Sequence, residues 1–267
     1  MNKENYKNYH DEINEKRIHS SYPIRAYAHL RQYDCFIDNI PSDVKTVLEA
    51  GCGEGTLTIR IAKKYPNLNI KAFDIGEENI KSAKLLAKKE GIKNIEFFNG
   101  DAENIDFPDN SFDLVVSSHV LEHLPSFDKG LSELKRVSKK HVFFAVPTCL
   151  NLSCFSLLGY DNYWKFSTRS IFSLGVGFCR VLFSFITFSE GPDEGYGPNK
   201  DIHIWRFPWI VRKKIKKSGL KLISYKASSL LFPYFLLGLS KKIDESFSAK
   251  SYFREFGFGT TFYCRKQ

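Results

Sequence analysis

The chain has 267 residues, of which 43% are hydrophobic and 26% charged, and its formal net charge is +9. This composition is typical of a folded globular protein and excludes a disordered chain. Six cysteines without a CxxC pair favour free thiols over a disulfide framework or a zinc site. The N-terminal region contains no apolar stretch typical of a signal peptide, so we expect a cytoplasmic protein.

Apolar strands and amphipathic helices alternate along the first half of the chain. A helix over 23–40 comes first, opened by Pro23 and closed before Pro41. Strands are then predicted at 44–50, 69–74, 94–98, 112–117 and 141–146, with helices at 56–65, 77–90 and 127–138. Two further strands, 220–227 and 260–265, are expected to pair antiparallel at a sheet edge. The alternation predicts an α/β fold with a mostly parallel sheet and helices on both faces.

A run of alternating glycines lies between the first predicted strand and the following helix. Glycine at these positions permits a tight turn and a close approach of a ligand to the backbone. A dinucleotide loop of the form G-x-G-x-x-G would need glycine where this chain has Thr56. The carboxylates of Glu49 and Glu54 would also repel a pyrophosphate. The loop therefore favours a ligand with an ammonium and a sulfonium, S-adenosylmethionine, over a nicotinamide dinucleotide.

Two carboxylates follow the next two predicted strands. Asp74 can accept hydrogen bonds from both hydroxyls of a ribose, which indicates an adenosine without identifying the cofactor. Asp101 can accept a hydrogen bond from the exocyclic amine of adenine. A helix N-cap at Asp74 and an Asx turn at Asp101 are the structural alternatives.

Four segments occur together in the order and spacing of class I S-adenosylmethionine-dependent methyltransferases: Val47–Gly55, Phe73–Ile75, Gly100–Glu103 and Phe112–Leu124. The chain resembles the branch of ubiquinone-biosynthesis-type and related small-molecule enzymes. The resemblance implies a Rossmann-like, seven-stranded sheet with an antiparallel last strand, and S-adenosylmethionine as cofactor. The cofactor-binding residues that it implies are Glu49, Gly51, Cys52, Gly53, Gly55, Asp74, Ile75, Asp101, Ala102, Ser117 and His119.

Two segments interrupt the alternation of strands and helices. Residues 148–204 form a long, mainly helical and aromatic-rich insertion, and residues 229–256 separate the last two strands. Long excursions within a compact domain are usually functional. We therefore expect a methyltransferase domain over 41–267 whose insertions form the acceptor side, preceded by an N-terminal helical extension or flap over 1–40.

Methyl transfer from a sulfonium requires a nucleophile held opposite the sulfur. An oxygen acceptor also has to lose a proton, most simply to a histidine. The candidate bases are His119, His123 and His203, although His123 has a structural alternative as a capping or packing residue. We expect O-methylation, with N- or C-methylation as the alternative and no metal site. A non-catalytic cofactor-binding module and a nicotinamide oxidoreductase are the alternatives of another class.

Two apolar stretches bear on the acceptor. The segment 170–188 is predicted as a helix with a stripe of small and polar residues and a wide apolar face, and 230–242 ends in two lysines. We expect them to form a packed lid, or else an apolar acceptor tunnel or a shallow, peripheral membrane attachment. A transmembrane span is not expected because of Arg180 and Pro233.

The expected acceptor is thus a small or lipid-linked molecule. Nucleic acid is not expected, because no Asn-Pro-Pro-Tyr-type motif follows the fourth strand. The expected location is the cytoplasm or the inner face of a membrane, and the oligomeric state stays open.

Overall fold

The computed structural model describes residues 18–20, 23–160, 167–195, 202–230, 237–248, 250 and 253–267. The strands are β1 (Thr46–Ala50), β2 (Asn69–Asp74), β3 (Ile95–Asn99), β4 (Phe112–Ser118), β5 (Ser138–Val146), β6 (Leu220–Ser228) and β7 (Gly259–Lys266). The described helices are α1 (Pro23–Ile37), α2 (Thr56–Lys64), α3 (Glu77–Lys89), α4 (Phe127–Val137), α5 (Leu152–Leu158), α6 (Thr168–Ile186), α7 (Pro208–Lys217) and α8 (Leu237–Phe247). A short 3-10 helix covers Leu121–His123.

All seven strands form one sheet in the order β3-β2-β1-β4-β5-β7-β6. The first five strands in this order, from β3 through β2, β1 and β4 to β5, pair in parallel. β7 pairs antiparallel with β5 and with β6. The predicted Rossmann-like, mostly parallel sheet with an antiparallel last strand is therefore confirmed. Strand order reverses between β1 and β4, the place where such sheets bind ligands beyond their carboxyl ends.

Helices cover both faces of the sheet because the central strands are apolar on both sides. In β1, Val47 joins the core beneath α1 and α2, whereas Leu48 joins the core beneath α4 and α7. In β4, Leu114 and Val115 alternate in the same way. This two-sided burial fixes β1 and β4 at the centre of the molecule.

Two predicted boundaries differ from the structure by three residues. Helix α1 ends at Ile37 rather than at 40, where the Asn39 side chain donates a 2.8 Å hydrogen bond to the carbonyl of Cys35. Strand β5 begins at Ser138 rather than at 141, because Ser138 pairs with Phe112 across a register shift in β4. Of the predicted extension over 1–40, residues 1–17 and 21–22 lie outside the described residues.

The insertion at 148–204 contains α5 and α6, which pack closely through small residues. The buried face of α6 is formed by Ser170, Ser173, Gly177, Val181 and Ser184. A Cβ on Gly177 would lie 1.8 Å from the carbonyl oxygen of Phe155 in α5. The small-residue stripe of α6 therefore faces the domain. Residues 161–166 and 196–201 of this insertion, and 231–236, 249 and 251–252 of the second insertion, lie outside the described residues.

This packing predicts opposite effects for two glycines of α6. Gly177→Ala forces α5 and α6 apart and should destabilise the protein by about 1–3 kcal/mol. Gly175→Ala is the matched control: nothing lies within 4 Å of its added Cβ, and alanine favours the helix by up to about 1 kcal/mol. Urea unfolding of both variants measures the difference. Equal stabilities would show that the two helices do not pack in this way.

Candidate active site

The glycine loop joins β1 to α2 at the carboxyl edge of the sheet. Its three glycines, Gly51, Gly53 and Gly55, have φ of 76°, 52° and 79°, a conformation that other residues adopt at a cost. A Cβ on Gly51 would also lie 2.3 Å from Cγ2 of Val120. The backbone conformation and this close approach together explain why the loop needs glycine.

Asp74 joins the glycine loop to the turn after β2. One of its carboxylate oxygens accepts a 2.8 Å hydrogen bond from the backbone N–H of Gly53. The other accepts from the backbone N–H of Gly76 at 2.9 Å and from Nδ2 of Asn79 at 3.0 Å. The N-cap of α3 is Gly76, so Asp74 does not have the N-cap role that was its structural alternative. Ile75, the next residue, is half-buried.

Glu49 is a carboxyl group buried beneath the glycine loop. Only 2% of the residue is exposed, and the Thr58 hydroxyl donates a hydrogen bond to its carboxyl group. Burial, reinforced by the negative charge of Asp74, raises the pKa of Glu49 to about 8 despite that hydrogen bond. The group is thus largely protonated at neutral pH, and a positive charge beside it would favour ionisation.

The other predicted cofactor residues have defined structural contacts. Asp101 Oδ1 accepts a 2.9 Å hydrogen bond from the backbone N–H of Glu103, which is the Asx turn considered as its alternative. The Ser117 hydroxyl donates a 3.0 Å hydrogen bond to the carbonyl of Ala50 and so ties the end of β4 to the end of β1. Ala102 is buried in the core beneath α4 and α7.

The cysteine of the loop is inert. Cys52 is 5% exposed, and burial, reinforced by the negative charges of Asp74 and Glu49, raises the pKa of its thiol well above the usual range. Its thiol is therefore a packing group at neutral pH.

His119 follows β4 and pairs with a buried carboxylate. Its φ is 56°, and its Nδ1 lies 3.1 Å from Oε1 of Glu122, whose side chain is 1% exposed. Burial raises the pKa of Glu122, but the hydrogen bond from His119 and the nearby histidines outweigh it and lower that pKa to about 2. Because Glu122 is ionised, Nδ1 of His119 carries a proton and donates it to this hydrogen bond. In the neutral imidazole, Nε2 is then an acceptor.

Nε2 of His119 lies close to Gln32 and Gly259, between α1 and β7. This atom and Nε2 of Gln32 are both buried without a hydrogen-bond partner among the described residues. A Cβ on Gly259 would lie 3.2 Å from the His119 atom and 2.8 Å from the Gln32 atom. One atom accepts a hydrogen bond and the other donates one, so the pair is complementary to a hydroxyl group.

His123 and His203, the other two base candidates, stack on each other. Their ring centroids are 4.7 Å apart at 7°, and Nδ1 of His123 lies 3.3 Å from the carbonyl oxygen of Ile202. Glu194 lies 2.8 Å from Nδ1 of His203 and accepts from Nε1 of Trp205 at 2.8 Å. Burial lowers the pKa of His123 to about 4 against the opposing charge of Glu122. Both rings are held by neighbouring groups.

Glu122 also connects this pair to His119. Ligand atoms of Glu122, His123 and His203 lie within 4.8 Å of one another, and no other such group of three is found among the described residues. From the sequence, we expect no metal site here. The three candidate histidines thus share one buried carboxylate, although their distances along the chain range from a few residues to about eighty.

Sequence reasoning missed three residues of this site. Glu122 belongs to the segment Phe112–Leu124, and its position three residues after His119 could have indicated the contact between the two side chains. Gln32 and Gly259 had no local signal, since they come from opposite ends of the chain and meet only in the fold.

Comparisons with known proteins identify the domain that contains this site. A model of the methyltransferase domain family matches residues 41–161. Ajmaline N-methyltransferase from Rauvolfia serpentina is 36% identical over 104 residues, which cover 39% of this chain and 35% of that protein. Demethylmenaquinone methyltransferase from Geobacillus stearothermophilus is 30% identical over 131 residues, covering 49% and 55%. The chain therefore spans about a third to a half of the length of these relatives.

Among solved structures, magnesium protoporphyrin IX methyltransferase from Synechocystis with bound S-adenosylhomocysteine has the same fold. Its TM-score is 0.56 at 15% identity, and the alignment covers 96% of this chain and 94% of that one. The segment matched by the family model contains the glycine loop, Asp74, Asp101 and His119. The predicted family, and S-adenosylmethionine as its cofactor, are thus confirmed. Residues 41–161 therefore form a methyltransferase domain of the class I, S-adenosylmethionine-dependent type.

Proposed function

We propose that the chain transfers a methyl group from S-adenosylmethionine to a hydroxyl oxygen of a small or lipid-linked acceptor. His119 is the general base, and Glu122 is a positioning residue that acts through it. The observation that carries the proposal is Nε2 of His119, a buried acceptor atom without a partner among the described residues. Its neighbour Val120 lies against the glycine loop at Gly51, and the proposal places Nε2 of His119 on the acceptor side of the cofactor.

The cofactor half of the proposal assigns one chemical task to each strand end. The glycine loop leaves room for the methionine part, and Glu49 compensates a positive charge there. Asp74 binds the ribose, with Ile75 beside it, and Asp101 and Ala102 bind the adenine. Support comes from the positive φ of the loop glycines and the raised pKa of buried Glu49, both of which suit a cationic ligand.

In the acceptor half of the proposal, the hydroxyl group of the methyl acceptor makes two hydrogen bonds to the protein. The hydroxyl donates to Nε2 of His119 and accepts from Nε2 of Gln32. S-adenosylmethionine, when bound, supplies the electrophilic methyl group, and the bonding electrons leave with its sulfur. His119 takes the acceptor proton as the oxygen–carbon bond forms, and Glu122 stabilises the resulting imidazolium.

A second candidate is C-methylation of a ring that carries a hydroxyl group. Removal of the hydroxyl proton by the same histidine would activate a ring carbon as the nucleophile. The similarity to demethylmenaquinone methyltransferase favours this candidate, and the similarity to ajmaline N-methyltransferase keeps N-methylation as an alternative. A product made with ¹³C-labelled methyl groups distinguishes the three, because NMR separates methyl groups on oxygen, nitrogen and carbon.

The base assignment predicts a selective loss of turnover. The assay incubates the purified protein and methyl-labelled S-adenosylmethionine with a cell extract of the source organism. It follows the transfer of the label to the acceptor and the formation of S-adenosylhomocysteine. His119→Gln should lower the rate by roughly 10²–10⁴-fold, the usual contribution of a general base. Glu122→Gln should lower it less and change its pH profile, because the imidazolium loses its counter-charge.

His141→Gln is the matched control. His141 lies near the amino end of β5, away from the carboxyl edge of the sheet, and is 3.8 Å from Asp43. Its variant should keep wild-type activity. Full turnover by His119→Gln would remove histidine from the mechanism. An unchanged pH profile in Glu122→Gln would limit Glu122 to a role in folding.

The raised pKa of Glu49 predicts a pH dependence of stability. Because its pKa is about 8 in the fold and 4.5 ordinarily, the stability that its neutral form contributes is fully present below about pH 4.5. That contribution is lost as the pH rises toward 8. Glu49→Gln should remove this loss. The melting temperature of the variant, relative to that of the wild type, should therefore increase as the pH rises over this range. Parallel curves from differential scanning calorimetry would contradict the assignment.

A further inference from the structure

The outer face of α6 exposes large apolar side chains to solvent. The exposed fractions reach 73% for Phe172, 68% for Phe183 and 62% for Ile186. The other members of this face are Ile171, Phe178, Leu182 and Phe185, and Phe188 follows directly after the helix. Contiguous apolar surfaces of this kind mark binding sites on soluble proteins. We call these eight residues the apolar face of α6.

A groove along this face suits an elongated apolar molecule. It measures about 840 Å³ and lies between α6 and the loop that follows it. Its apolar lining includes Phe172, Val176, Phe183 and Pro192. An acyl chain matches both the shape and the chemistry of such a groove.

α6 is held to the domain along one side. By length and composition, it is the one helix among the described residues that could cross a membrane. However, its small-residue face is packed on α5, and Arg180 donates hydrogen bonds to the carbonyls of Leu158 at 2.8 Å and Asp193 at 2.9 Å. A helix fixed in this way with its other side apolar is suited to lie in the plane of a membrane surface.

An exposed tryptophan and two lysines continue the apolar face onto α7. The ring of Trp209 lies 6.1 Å from that of Phe185, and 38% of Trp209 is exposed. Lys213 and Lys216 lie one and two turns further along the same exposed stripe of α7. Neither lysine has an ion-pair partner in the part of the chain that the structure describes. Tryptophan and lysine are the residues that anchor proteins at the headgroup level of anionic membranes.

Two glutamates near this surface pair with basic side chains of the fold, whereas the carboxylate of Asp193 beside the groove accepts 3.0 Å hydrogen bonds from the backbone N–H groups of Gly195 and His203. Glu190 pairs with Arg206 at 2.9 Å and with Lys214 at 2.6 Å. Glu194 pairs with His203 at 2.8 Å. Helices α6 and α7 themselves contain no acidic residue. The surface therefore combines an apolar face with uncompensated positive charge.

We infer that the apolar face of α6, with Trp209, Lys213 and Lys216, docks onto a bilayer that contains anionic lipids, with α6 lying in the membrane plane. Charge decides between a bilayer and a second copy of the chain. Anionic headgroups complement the lysines, whereas a second copy would bring another basic surface against them. The inference goes beyond the proposed function, since docking requires no catalysis.

The docking surface is also connected to the proposed acceptor site. Phe185 packs on Phe207 with ring centroids 6.0 Å apart, and Phe207 shares a buried cluster with Phe258. Gly259, the next residue, borders Nε2 of His119. One layer of packed side chains thus connects the docking surface to the base of the proposed function.

Vesicle flotation of the full chain tests the inference. The protein should float with vesicles of equimolar phosphatidylcholine and phosphatidylglycerol. With vesicles of phosphatidylcholine alone, the floating fraction should be at least roughly tenfold smaller. Phe172→Glu with Phe183→Glu should abolish flotation, and Lys213→Gln with Lys216→Gln should weaken it roughly tenfold. The matched controls are Leu85→Glu, at a 69% exposed position on α3, and Lys84→Gln with Lys88→Gln on the same helix; both should float like the wild type.

Two further measurements keep the test independent of folding and of catalysis. Spin-labelled lipids should quench the fluorescence of Trp209, and Trp209→Phe should lose that quenching while it still floats. Binding of S-adenosylhomocysteine should be unchanged in the phenylalanine variants, which separates this inference from the proposed function. The inference would be overturned if the wild-type protein did not bind the anionic vesicles, or if the variants bound them as well as the wild type does. It would also be overturned if the wild type formed a dimer that the phenylalanine variants alone lost, since a second copy would then cover the apolar face.

Discussion

The parallel pairing of β1 with β4 is the constraint on which the rest of the structure depends. Val47 pairs with Leu114, and the Ser117 hydroxyl joins the two strand ends through the carbonyl of Ala50. Because strand order reverses here, the connections that leave β1 and β4 diverge and open a crevice at the carboxyl edge. The glycine loop occupies one side of this crevice, and His119 begins the other.

The electrostatics of the crevice are divided between two buried carboxyl groups. Glu49 has no cationic neighbour among the described residues, and its pKa rises to about 8, whereas Glu122 pairs with His119 and its pKa falls to about 2. The first group is suited to a ligand that brings its own positive charge. The second holds a histidine in the tautomer that accepts a proton. In the proposed function, the first group serves cofactor binding and the second serves acceptor activation.

Local sequence patterns predicted the sheet and the family well, because both depend on short-range information. The alternation of apolar strands and helices, the glycine loop and Asp74 lie within single β–α units. The acceptor half depends on contacts between distant segments. Gln32 from α1 and Gly259 from β7 meet at His119 only after the sheet has formed, so no local pattern could indicate them.

The orientation of α6 shows the same limit. Its sequence has a small-residue stripe and a wide apolar face, and either could be buried. The close approach of Gly177 to the Phe155 carbonyl buries the small stripe and leaves Phe172 and Phe183 exposed. That choice is made by the backbone of α5 and not by hydrophobicity, which on its own would bury the phenylalanines.

The central claim is that one crevice places the cofactor sulfur beside Nε2 of His119. A crystal structure with bound S-adenosylhomocysteine tests it most directly. We expect the ribose hydroxyls on the carboxylate of Asp74, the ammonium group near Glu49, and the sulfur facing the space between His119, Gln32 and Gly259. A ligand bound elsewhere, or a sulfur that faces away from His119, would contradict the account.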